Sequence, residues 1–145
     1  MEIHNIGIIG MGQMGRGIAE VCALSGYKVL VTDSNLDTLN VSKSLVLADL
    51  KKLEKKKKIE THNINNALDQ IILSQDLSEF KDCDLIIEAS TEQEQTKKKI
   101  FSELNGVIKD NTILATNTSS ISVTRLASGT NKPENFMGLH FMNPV

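Results

Sequence analysis

The side chains best suited to chemistry in this 145-residue chain stand at or just after short apolar stretches. His140 and Asn143 follow Phe136 to Leu139. Asn117-Thr118-Ser119-Ser120 follows Ile113 to Ala115, and Glu88 and Glu92 follow Asp84 to Ile87. A histidine titrating near neutrality can take the proton of a secondary alcohol while hydride leaves its carbon. Hydroxyl and amide donors beside it can hold the same oxygen. Plainer uses compete for each residue: Ser120 can cap a helix, Asn117 can hold a turn, and His140 can be a satisfied strand-end histidine. His4 and His62 have no comparable company.

A second constellation lies near the start. Gly10-Met11-Gly12-Gln13-Met14-Gly15 follows an apolar run and opens a helical pattern. Such a turn bends tightly at its first glycine, admits a pyrophosphate at the second, and lets helix and strand pack at the third. The helix N-terminus then offers unpaired N–H groups to the phosphates. Alone the pattern is weak. Asp33 strengthens it, because an acid at the end of the second strand, at this spacing, binds adenosine ribose hydroxyls. No arginine follows Asp33; Ser34 and Asn35 do, which favours NAD over NADP.

The elements that must position these groups alternate. Strands are expected over Ile3 to Ile9, Tyr27 to Thr32, Ile72 to Leu73, Asp84 to Glu88, Thr112 to Ala115 and Phe136 to His140. Helices are expected over Met14 to Ser25, Leu36 to Lys58, Ile64 to Ile71, Glu92 to Ile108 and Ser120 to Ala127. Leu36, Leu39, Val46, Leu50 and Leu53 would form the buried stripe of the second helix. Gly26 would end the first helix, and Glu94 and Lys98 are spaced to pair across a turn. Strands alternating with helices imply a doubly wound α/β fold with a mostly parallel sheet, a Rossmann-type dinucleotide-binding domain with ligands at the carboxyl ends of its strands.

Composition narrows the class. Hydrophobic residues make up 40% and aromatic residues 3%, so the core must be aliphatic. A net charge of -2 gives no general attraction to nucleic acid or membrane. No apolar run suits a membrane helix, no secretory signal is visible, and Cys22 and Cys83 read as buried thiols of a reducing compartment. No metal site is expected. Residues 51 to 58 hold six lysines and one glutamate. A solvated helix end explains them, and a polyanion patch is the functional reading.

The segments GIIGMGQMGRGIA, DLIIEASTE, NTSSISVT and GLHFMNPV resemble the 3-hydroxyacyl-CoA dehydrogenases over essentially the whole chain. The resemblance implies NAD-dependent oxidation of (S)-3-hydroxyacyl-CoA, or its reverse, in fatty-acid or butyrate metabolism. His140 would be the base, with Ser119 and Asn143 holding the reacting oxygen and orienting the substrate. Gly10, Gly12, Gly15, Asp33, Glu92, Lys97 and Ser119 would contact NAD, and Lys56 with its neighbours would meet the phosphates of coenzyme A. Residues 1–145 would be the NAD-binding domain of a cytoplasmic enzyme. In the family a glutamate that pairs with the histidine, and a helical domain for the acyl site and homodimer interface, lie past the segment that ends this sequence. The 145 residues alone are therefore expected to bind NADH without catalysing. A dehydrogenase for another β-hydroxy acid would not need the lysine patch, and a non-catalytic NAD-binding module would not need Ser119, His140 and Asn143 together.

Asp33 generates a first test. A 2′-phosphate about 4 Å from its carboxylate costs roughly 1 kcal/mol in water and more when partly buried. Calorimetry should show NADH binding more tightly than NADPH, with the gap narrowed in Asp33→Ala. Equal affinities in the unaltered chain would refute the assignment.

Overall fold

Short runs of isoleucine, leucine and valine build the sheet of this computed structural model, which describes residues 2–142 and 145. The strands are β1 (Asn5–Ile9), β2 (Lys28–Thr32), β3 (Ile71–Leu73), β4 (Leu85–Glu88), β5 (Ile113–Thr116) and β6 (Phe136–Gly138). The sheet order is β3-β2-β1-β4-β5-β6 and every pairing is parallel. A parallel sheet is covered on both faces, which is why Ile6, Ile8 and Ile9 of β1 are all buried. Chain order reverses between β1 and β4, so the carboxyl ends of those two strands flank the crevice.

The helices are α1 (Gln13–Leu24), α2 (Leu36–Lys55), α3 (Thr61–Gln70), α4 (Glu94–Leu104) and α5 (Val123–Ala127). One apolar cluster joins Ile18 and Ala23 of α1, Leu39, Val46 and Leu50 of α2 and Ile64 of α3 to Ile8 and Val31. The second gathers Phe101 and Leu104 of α4 and Leu126 of α5 on Ile9, Ile86 and Leu114. Phe101 meets Phe136 of β6 edge-on at 4.8 Å, tying the last strand to α4.

The boundaries differ from expectation where side chains override periodicity. Helix α2 stops at Lys55, because Lys57 takes a left-handed backbone at φ 59°. Its stripe runs through Ser42, whose hydroxyl donates to Leu39 O at 2.6 Å, and Leu36 is exposed. Helix α4 begins at Glu94, leaving Glu92 in the loop before it. Ser122, and not Ser120, caps α5 by accepting the Arg125 N–H at 3.2 Å. Strand β6 ends at Gly138, so His140 lies beyond it. Leu77–Asp82 forms an unanticipated 3₁₀ segment with Phe80 buried beneath it. Cys83 is buried and Cys22 half-buried, and desolvation pushes their thiols up to about 12 and about 11.

Helix α1 carries an unusual acid. Glu20 is 8% exposed, with Oε2 buried and without a partner among the described residues. Asp49 of α2 lies beside it and accepts from Arg16 Nε at 2.8 Å. Desolvation, and then the Asp49 carboxylate, raise Glu20 to about 8, while Arg16 opposes the rise. Burial and the Asp49 carboxylate thus both favour the protonated form of Glu20, while the value of Asp49, against desolvation, is lowered by Glu20 and Arg16.

A folded value above the unfolded 4.5 means the protonated acid stabilises fully below 4.5 and loses that contribution as pH rises through about 8. The slope reaches at most about 1.4 kcal/mol per pH unit. Urea unfolding at pH 5.5 and 8.5 should show this loss in the unaltered chain and a flatter response in Glu20→Gln, whose amide donates without titrating. Identical slopes would mean that no proton is shared there.

Candidate functional site

The crevice begins with a turn in which each glycine answers a different constraint. Gly10 has φ 103°, and a Cβ there would lie 2.5 Å from Ala89 O. At Gly15 a Cβ would fall 1.6 Å from Gly10 O, so the turn closes only without one. A Cβ on Gly12 would meet nothing within 4 Å. Its φ of -68° suits any residue, so what this glycine provides is open space. Gly12 is also the N-cap of α1, and no side chain caps that helix. The first-turn N–H groups are therefore available to an anion.

Asp33 anchors the turn as well as facing the crevice. Its Oδ2 accepts the Met11 N–H at 2.7 Å and its Oδ1 accepts the Asn35 N–H at 2.8 Å. Asn35 in turn caps α2 by accepting the Thr38 N–H at 3.1 Å.

The opposite wall is built on a buried carboxylate. Glu88, at the end of β4, has no exposed surface. It accepts from Lys97 Nζ at 2.7 Å, Thr116 Oγ1 at 2.6 Å, Ser90 N–H at 2.7 Å and Ser90 Oγ at 2.5 Å. Lys97 is 1% exposed, and its ammonium also stands 3.7 Å from Glu92. Glu92 accepts the Thr118 hydroxyl at 2.5 Å and both the N–H and hydroxyl of Ser119 at 2.9 Å. Desolvation would raise Glu92, but these donors and the Lys97 charge outweigh it and hold the acid down at about 2. Glu92 is thus ionised at neutral pH, and Ser119 spends its proton on it.

The walls enclose about 1250 Å³. Gly10, Gly12, Asp33, Glu92, Lys97, Ser119 and His140 all line this space. Gly15 sits beneath the turn, the lysines of 51–58 form no part of the lining, and Asn143 lies outside the described residues. Sequence reasoning missed the Glu88–Lys97 pair. Lys97, Phe101 and Leu104 are the buried face of α4, and that helical spacing marks Lys97 as a core position within a charged run.

Comparison with known proteins agrees with this geometry. The sequence profile described as "3-hydroxyacyl-CoA dehydrogenase, NAD binding domain" matches residues 5–145. A 3-hydroxybutyryl-CoA dehydrogenase from Bradyrhizobium diazoefficiens is 45% identical over 99% of this chain and 49% of its own length. A probable 3-hydroxybutyryl-CoA dehydrogenase from Deinococcus radiodurans is 45% identical over 96% of this chain and 50% of its own. The crystal structure of (S)-3-hydroxybutyryl-CoA dehydrogenase from Ralstonia eutropha superposes with a TM-score of 0.95 at 39% identity, over 99% of this chain and 51% of that one. The chain thus spans about half the length of these relatives.

The residues fit NAD: an uncapped helix end, an open cradle at Gly12, and a carboxylate at the end of β2. Two substitutions separate cradle from fold. Gly12→Val should keep a native circular dichroism spectrum and lose NADH binding by at least about 100-fold, because the side chain enters the space a pyrophosphate needs. Gly15→Ala should instead lower stability by about 1–3 kcal/mol or more, because the turn must open. A Gly12→Val protein that bound NADH normally would remove this turn from the cofactor site.

Proposed function

The chain belongs to the 3-hydroxyacyl-CoA dehydrogenases as their NAD-binding domain, and on that premise we propose that the full-length protein interconverts (S)-3-hydroxyacyl-CoA and 3-ketoacyl-CoA. The observation that carries this reading is one continuous crevice whose lining runs from the glycine turn and Asp33 to Ser119 and His140. The relatives named 3-hydroxybutyryl-CoA dehydrogenase favour a short acyl chain.

The chemistry that NAD supplies when bound is acceptance or donation of hydride. The protein's residues handle the proton and the geometry. His140, exposed at the crevice, takes the proton of the 3-hydroxyl as the carbon–hydrogen bond breaks, and returns it in the reverse direction. Ser119, whose hydroxyl lies 2.9 Å from Glu92, stands at the crevice where it orients the reacting oxygen for His140. Glu92 and Lys97 contribute the cofactor wall, and Asn143 orients the substrate. Lys56 and its neighbours, exposed at the end of α2, meet the phosphates of coenzyme A. A further helical domain, dimerisation through it and a cytoplasmic setting complete the reading. No helix among the described residues is long and apolar enough to cross a membrane.

The test is NADH oxidation by acetoacetyl-CoA with the full-length protein. His140→Ala should lower the rate by ~10²–10⁴-fold, as expected for loss of a general base, while NADH affinity is retained. Ser119→Ala should cost less, since one orienting hydroxyl is lost and the base remains. A near-unaltered rate in His140→Ala would reject it as the base.

A further inference from the structure

We propose that Asn117 is the positioning residue of His140. The proposal rests on His140 being the base, and it concerns how that base is held. His140 lies two residues past β6, which is only three residues long and at the edge of the sheet. An exposed side chain on such a tail is placed by its backbone. Two hydrogen bonds bracket that backbone, and both come from the end of β5. Before His140, the Leu139 N–H donates to Thr116 O at 2.9 Å, continuing the β5–β6 ladder. After it, the Phe141 N–H donates to the side-chain carbonyl of Asn117 at 2.7 Å.

Asn117 is itself pinned, because its own N–H donates to Glu88 O at 2.9 Å. It therefore links the end of β4 to the peptide just beyond the histidine. Beyond the last backbone bond of the ladder, this short side-chain acceptor extends the connection to the peptide after His140. Asn117 is also two residues from Ser119 on the same turn. The two groups proposed to meet the substrate oxygen are thus tied together through the turn that follows β5. Loosening the His140 peptide would degrade alignment with the hydroxyl while leaving the glycine turn and Asp33 untouched.

The experiment compares Asn117→Leu, which keeps volume and loses the acceptor, with Asn117→Asp, which keeps an acceptor oxygen, in the full-length protein. The leucine variant should turn over acetoacetyl-CoA about 10- to 100-fold more slowly, the range expected for misplacing a reacting group by about an ångström. Its NADH dissociation constant should stay within about threefold of the unaltered protein. The aspartate variant should recover most of the turnover. Amide hydrogen exchange at Phe141 should be faster in Asn117→Leu and protected in Asn117→Asp. A leucine variant that loses thermal stability but keeps its turnover would reduce Asn117 to a turn former and overturn the proposal, and so would unchanged exchange at Phe141. If the unaltered protein proves inactive on hydroxyacyl thioesters, the function assigned above fails separately, and Phe141 exchange alone decides for or against the clamp.

Discussion

A carboxylate cut off from water must be met by donors, and Glu88 is met by four hydrogen bonds from three parts of the chain. The lysine among those donors comes from α4, the threonine from β5, and the serine from the loop leaving β4. One buried charge thereby ties together β4, β5, α4 and the loop leaving β4. Such a pair is expensive to desolvate, and its loss is costlier still. Removing one partner of a buried ion pair typically costs about 3–5 kcal/mol, since the other charge is left uncompensated. The arrangement is better understood as specifying geometry than as adding stability. Lys97 reaches past Glu88 towards Glu92, Glu92 holds the Thr118-Ser119 turn, and the backbone of Glu88 holds Asn117.

The other side of the crevice is organised by absence of atoms. Gly10 supplies a backbone angle, Gly15 a clearance from Gly10 O, and Gly12 a vacancy. Only the first two are demanded by the fold. Asp33 joins the two kinds of requirement, because the carboxylate suited to a ribose also bonds the Met11 amide inside the turn. Any change at Asp33 therefore alters the lining of the crevice and the glycine turn together.

What the sequence disclosed depended on the range of each interaction. The glycine turn, its helix and Asp33 are close in sequence, and fixed spacing was enough to find them. The parallel sheet was legible because buried strands and amphipathic helices alternate visibly. Element ends were less so: Glu92 falls outside α4 and Ser122 does the capping assigned to Ser120, since both outcomes turn on single hydrogen bonds. Contacts across the fold were hidden. Lys97 sits in a charged run, and its spacing with Phe101 and Leu104 hints at burial without naming Glu88 as its partner. Glu20 and Ser42 likewise occupy core positions of helices with polar side chains. The Asn117–Phe141 bond could not be read because it depends on where β6 ends.

The strand order has a consequence for how the molecule is made. Asn5 faces Lys28 across β1 and β2, whereas Ile6 faces Leu85 across β1 and β4. The first pairing closes over one short helix, and the second waits for α2, α3, β3 and the 3₁₀ segment to be synthesised as well. Loop closure over a longer stretch costs more entropy and slows assembly. On the ribosome, β1, β2 and their helices can collapse while the far edge of β1 is still an unpaired strand. Until β4 arrives, that edge and the apolar face intended for α4 are open to other chains. The nascent state, rather than the finished one, is where this fold is most exposed to aggregation.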